Sequence, residues 1–186
     1  MNLRKLSTVS LAAIASISIL ASSCDKVKDA IKVNIPLQQA SIEFDITPVD
    51  AGTGTLAEFQ ARFDVDSAIR ANASQFSAKN IKSAKLKSLK ITATNTTAND
   101  HFGVLSACTA RLSSDVNSTW ITIGEVTNNP ETASSTLNIP VNTDQELKDY
   151  FTGKSFSYIL SGTARRATST TLHCKATLEV NLEVGL

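Results

Sequence analysis

Three cysteines, two histidines, one tryptophan and a run of lysines are the residues of this 186-residue chain whose types and spacing could do chemistry. Cys24 directly follows Leu20-Ala21-Ser22-Ser23. Its thiol, the most nucleophilic of the common side-chain groups once ionised, stands directly behind a run of small residues. Cys108 lies in Ser106-Ala107-Cys108-Thr109-Ala110-Arg111-Leu112, and Cys174 in Leu172-His173-Cys174-Lys175-Ala176-Thr177-Leu178. Alternation puts both thiols on apolar faces, so both point into a core. A Cys108–Cys174 disulfide closing a loop of this length would stabilise by about 4 kcal/mol in the chain-entropy model. The alternative is two separate buried thiols acting as small hydrophobes.

The remaining candidates do not converge on a reaction. A zinc site wants three or four His, Cys or carboxylate ligands on one spot. His101 and His173 are the only histidines, and His173 and Cys174, adjacent in a strand, face opposite ways. Asp64 and Asp66 could serve calcium, but no EF-hand loop surrounds them, and a solvated strand end accounts for both. There is no Gly-x-Ser-x-Gly elbow. Gly52-Thr53-Gly54 lacks the third glycine and the following helix of a dinucleotide site, and is expected to be a turn. The chain is therefore expected to carry no catalytic residues, no metal and no cofactor.

Two features suit binding instead. Lys79, Lys82, Lys85, Lys87 and Lys90 fall in twelve residues without an acid. They could contact anionic headgroups or an acidic polysaccharide, or be a solvated strand edge on which lysine deters strand-to-strand pairing. Trp120 could stack on a sugar ring, or cover a sheet face under a loop. The formal net charge of +1 argues against a general nucleic-acid binder.

These residues need a scaffold, and its type is legible. The chain holds 22 Ser and 21 Thr against ten aromatics, a bias that suits strands with one wet face. Apolar rows of period two recur: Ile31, Val33, Ile35 and Leu37; Ile42, Phe44 and Ile46; Phe59, Ala61, Phe63 and Val65; Leu89, Ile91 and Ala93; Ile121 and Ile123; Leu137, Ile139 and Val141; Phe156, Tyr158, Leu160, Gly162 and Ala164; and a long row from Leu172 to Val184. Such patterning marks half-buried antiparallel strands, and eight or nine of them predict a mainly β, antiparallel β-sandwich. Two short helices are expected at its ends. One covers residues 66–76 behind an Asp66 cap. The other follows the capping box Thr143-Asp144-Gln145-Glu146, with Leu147, Tyr150 and Phe151 as its apolar stripe and Gly153 as its stop.

The first residues read as an address. Arg4 and Lys5 precede an apolar run over residues 9–20, too short to span a bilayer, closed by small residues. The segment resembles bacterial lipoprotein signals, in which a lipobox ends in a cysteine that is diacylated and becomes the first residue of the mature chain. Leu20 stands four places before Cys24, where the family prefers three. Cleavage by ordinary signal peptidase after Ser23 also fits the small residues. Lipidation of Cys24 explains the odd cysteine and leaves Cys108 and Cys174 as an even pair in an oxidising compartment. The run Glu146-Leu147-Lys148-Asp149-Tyr150-Phe151 before Ser155-Phe156-Ser157-Tyr158 is similar to one in Gram-negative envelope lipoprotein β-sandwich domains of unknown function. The resemblance implies a signal over residues 1–23, a polar tether over 24–32 and one β-sandwich domain over 33–186. It implies a non-enzymatic, lipid-anchored protein of the bacterial cell envelope, at the outer membrane. Its role would be structural, adhesive or ligand-binding, with a glycan or an envelope protein as partner. A carbohydrate-binding accessory lipoprotein using Trp120 is the alternative.

Overall fold

The computed structural model describes residues 32–38 and 41–186; Cys24, the signal segment and all but the last residue of the expected tether lie outside the described residues. Among the described residues, nine strands form two antiparallel sheets that pack as a β-sandwich. The first sheet holds β1 (Lys32–Gln38), β9 (Leu172–Gly185), β4 (Ile81–Ala93) and β7 (Thr136–Ile139) in that order, and β2 (Ile42–Ile46) also pairs with β9. β4 runs along β9 from Ile81 to Ala93, so β1 and β2 share the opposite side of β9, one beyond the other. Pro36, which has no N–H to give, sits in outer strand β1. The second sheet runs β3 (Gly52–Arg62), β8 (Ser155–Ala164), β5 (Leu105–Ser114) and β6 (Ile121–Val126).

The alternation read from the sequence is what closes the sandwich. Along β8, Phe156, Tyr158, Leu160, Gly162 and Ala164 are buried while Ser155, Ser157, Ile159, Ser161 and Thr163 are half-exposed. Phe44 of β2 stacks on Phe59 of β3 at 4.1 Å between ring centres, and Phe59 on Tyr158 of β8 at 5.2 Å. This aromatic column crosses from one sheet to the other, and stacked rings stabilise beyond the area they bury.

Several expectations change. Gly52-Thr53-Gly54 is no turn but the start of β3, with Gly52 at φ 115°, a region that glycine enters without a Cβ penalty. The first helix forms as α1 (Val65–Asn72), yet Asp64 caps it, its side chain accepting from the Ser67 N–H at 3.0 Å. Asp66 sits in the first turn instead, bonded to Arg70 at 2.7 Å and accepting from the Ala78 N–H at 2.8 Å. The second helix does not form: residues 143–154 are a chain of turns. Glu146, expected to close a capping box, reaches across to β4. Its carboxylate accepts from Ser83 Oγ at 2.6 Å, from the Ala84 N–H at 2.7 Å and from the Lys148 N–H at 2.9 Å, while the Leu147 N–H donates to the Ala84 carbonyl at 2.8 Å. The segment thus continues the edge of β4 where β7 does not reach, and the tertiary partner outweighs local helix preference.

A stability effect follows. Burial pushes the Glu146 carboxyl up, and the hydrogen bonds from Ser83, Ala84, Lys148 and Leu147 more than offset it, leaving its pKa below the ordinary value. A depressed folded pKa gives stability that is present above the unfolded value and lost as pH falls through the folded one. Glu146→Ala is expected to destabilise by about 1 kcal/mol at neutral pH, with a smaller loss in acid, measured by urea denaturation at both pH values.

Candidate functional site

Cys108 and Cys174 are free thiols in the structure, both buried, so the expected bridge is not formed. They stand in different sheets. Cys108 on β5 lies between Gly162 and Val126, and Cys174 on β9 between Phe44 and Ala93. Burial pushes the Cys108 thiol up to about 12. Burial first, and the nearby Asp45 carboxylate second, push Cys174 up to about 12. Cys174 Sγ donates to the Leu172 carbonyl at 3.5 Å. Thiols this hard to ionise are poor nucleophiles and poor metal ligands, so each acts as a small core side chain.

Of the lysines, only Lys90 lies where β4 is paired on both sides, by β9 and β7; Lys82, Lys85 and Lys87 lie on the half of β4 that β7 does not reach, where Glu146 and Leu147 bond to Ala84. Two bulges, between Ile81 and Ser83 and between Leu86 and Ser88, shift the alternation so that Lys82, Lys85, Lys87 and Lys90 all leave the core face. Lys85 and Lys87 border a cleft of about 660 Å³, whose other walls include Pro36, Thr143, Glu179 and Asn181. Each of these two lysines already has a carboxylate near it: Lys85 reaches Asp144 at 3.9 Å and Lys87 reaches Glu179 at 3.7 Å. The cleft is therefore electrically mixed, a poor trap for an anion and a fair one for a neutral polar ligand. Lys90 stands between Thr177 and Asn138 on the same outer face. Lys79 precedes β4, in a single 3-10 turn (Ala78–Asn80), and is exposed. The five lysines thus do not form one patch.

Trp120 directly precedes β6, half-buried, on the outward face with Thr122 and opposite to buried Ile123. The Arg111 guanidinium lies 5.9 Å from the ring centre, a cation–π contact. Around it the outer face of the second sheet carries hydroxyls: Thr109, Ser157, Ser161 and Thr163, all half-exposed, stand on adjoining strands. An aromatic ring, a guanidinium and rows of hydroxyls on a flat sheet can hydrogen-bond and stack on a sugar chain.

A further cluster, which sequence reasoning missed, closes the sandwich end where β4 finishes and β9 starts. Asp100 is buried, and its carboxylate accepts from Ser169 N–H at 3.2 Å and Ser169 Oγ at 3.1 Å. The Thr170 side chain lowers the Asp100 pKa most; burial opposes it, and Ser169 adds to the lowering. His101 is also buried, and its Nδ1 accepts from the Gly103 N–H at 3.0 Å. Arg165 donates to the carbonyls of Gly103 at 2.9 Å, Leu105 at 2.8 Å and Asn129 at 2.6 Å. An aspartate, a histidine and a serine are close in sequence or space here, but they are not wired in series. Asp100 holds Ser169 directly, and the His101 nitrogen that an aspartate would orient is spent on a backbone amide. The cluster builds loops. At the same end, exposed His173 Nδ1 lies 2.7 Å from Asp45 Oδ1. No group of three or more His, Cys, Asp or Glu side chains converges on a metal position among the described residues. No described helix is long and apolar enough to cross a membrane.

No family model matches the chain, and no curated protein matches it. Among solved structures it is similar to one of Desmodium yellow mottle tymovirus, with 16% identity over 100% of this chain and 97% of that one, at a TM-score of 0.25. A structure of Cocksfoot mottle virus gives 10% identity over 100% and 96%, at a TM-score of 0.24. Superpositions this poor bear on neither fold nor function.

Proposed function

We propose that this chain is a non-enzymatic lipoprotein of the bacterial cell envelope, held at the outer membrane by acyl chains on Cys24 and presenting its β-sandwich for a structural, adhesive or ligand-binding role. The observation that carries the reading is the arrangement Leu20-Ala21-Ser22-Ser23-Cys24 a few residues ahead of β1, with the chain's other two cysteines buried in the core. Acyl chains contribute roughly 0.8 kcal/mol per buried methylene, so two or three of them hold a domain firmly. Cys24→Ser, expressed in a Gram-negative host, is expected to leave the membrane pellet and appear in the soluble fraction on detergent-free fractionation. Retention of the serine variant in the membrane would sink the anchor.

The Trp120 surface favours a second reading, a carbohydrate-binding accessory lipoprotein. It predicts that the protein is retarded in affinity electrophoresis through a polysaccharide gel and that Trp120→Ala is retarded far less, a loss of roughly five- to 150-fold in affinity for a stacking contact of about 1–3 kcal/mol. Equal retardation of both proteins would remove Trp120 from any glycan site.

A further inference from the structure

The register gathers the start of β1, eight residues after Cys24 in the sequence, into one end of the first sheet, which carries four cations against two carboxylates. Lys32 opens β1 opposite Gly185, and Ile81 opens β4 opposite Val184, so the starts of β1 and β4 and the end of β9 form a single tip. α1 packs against β1 and against the 3-10 turn that leads into β4. The charges that face this tip come from five elements. On β1 and β9, Lys32 is held by Glu183 at 2.9 Å; on α1, Arg70 is held by Asp66 at 2.7 Å. Lys79 and Lys82, on the 3-10 turn and β4, are exposed and pair with no carboxylate among the described residues. Asn80 ties this turn to the Gly185 carbonyl at 3.2 Å, and Leu186 beyond it is 48% exposed. The opposite end, by contrast, has its loop cations engaged: Arg165 on three carbonyls and Arg166 on Glu131 at 2.7 Å.

Eight residue steps separate Cys24 from Lys32, which fully extended span at most about 28 Å. We infer that this tip, through Lys79 and Lys82, seats the domain on the anionic headgroups of the membrane that carries it, and so fixes which end faces away. The inference rests on the lipid-anchor reading. The acyl chains set residence at the membrane; the two lysines set orientation. Each weights the seated orientation by about fivefold, the factor that ~1 kcal/mol gives for a lysine at an anionic surface. The attraction fades beyond a Debye length of about 8 Å at physiological salt, so only side chains at the tip take part and Lys85, Lys87 and Lys90 do not.

The test uses the full lipoprotein in vesicles of phosphatidylcholine with or without phosphatidylglycerol, containing a headgroup-level quencher lipid. Because Cys108 and Cys174 are buried, a fluorophore goes selectively to an introduced cysteine: Gln75→Cys beside the tip, or Asp50→Cys at the far end, both exposed positions. The expected result is strong quenching at 75 and weak quenching at 50 in anionic vesicles. The difference should shrink in high salt, in purely zwitterionic vesicles and with K79E/K82E. Equal quenching at both positions, or quenching at 75 that ignores charge reversal, would overturn the seating while leaving the anchor intact. Failure of the protein to stay on the vesicles at all overturns the anchor, and is read separately by co-flotation.

Discussion

Phe156→Ala is expected to cost about 3–5 kcal/mol, enough to unfold a large fraction of a domain with ordinary stability. Phe156 is fully buried on β8, the strand that pairs with both β3 and β5 and so holds the second sheet together. Its ring lies 5.2 Å from that of Phe151, which belongs to the turns that extend the edge of β4. The substitution therefore opens a cavity between a central strand and the segment that closes one side of the sandwich. Neither side can collapse freely, since β8 is fixed by two ladders and Leu147 is fixed to Ala84. Chemical denaturation should show a lowered midpoint with a similar slope; a midpoint within about 1 kcal/mol of the parent would mean that the site relaxes and that the packing described for it is wrong.

Asp100→Ala should cost roughly 3 kcal/mol at neutral pH, because hydrogen bonds to a buried charged acceptor are worth more than neutral ones and the Ser169 N–H and hydroxyl lose their partner. Its acid dependence has a definite sign. The Asp100 pKa is lowered in the folded protein, chiefly by the Thr170 side chain against burial. Its contribution is full above the unfolded aspartate value and disappears as pH falls through the lower, folded one. The gap between parent and variant, measured by thermal unfolding, should be wide at neutral pH and narrow in strong acid. A gap that stays constant would assign the loss to packing rather than to the carboxylate.

The sandwich is legible because period two survives wherever a strand is regular: β8 alternates over all its ten residues and β9 from Leu172 to Val184. It fails where the ladder is irregular. Buried positions of β4 fall at Ile81, Ala84, Leu86, Leu89, Ile91 and Ala93, and its two bulges hide the first half of the strand from a reading that requires strict alternation. The same bulges carry the lysines outward, so the sequence shows a charge run without revealing the strand beneath it. At Glu146 a capping-box pattern was correct in chemistry and wrong in partner: the carboxylate does accept backbone amides, but one of them is Ala84, more than sixty residues away. The Asp100, His101 and Arg165 cluster was not legible because its members come from separate loops and bond mostly to backbone groups, which leave no side-chain motif. The facing of Cys108 and Cys174 was read correctly and their pairing was not. Alternation reports which way a side chain points, not which residue across the core it meets.

The most direct test of the proposed anchor is the intact mass of the full-length protein extracted in detergent from its native membrane, before and after reduction. The expected species begins at Cys24 and carries the added mass of a diacylglycerol group with or without a further acyl chain. Its mass is unchanged by reduction, as two free core thiols require. An unmodified chain, beginning at Cys24 or beyond it, would contradict the lipoprotein account.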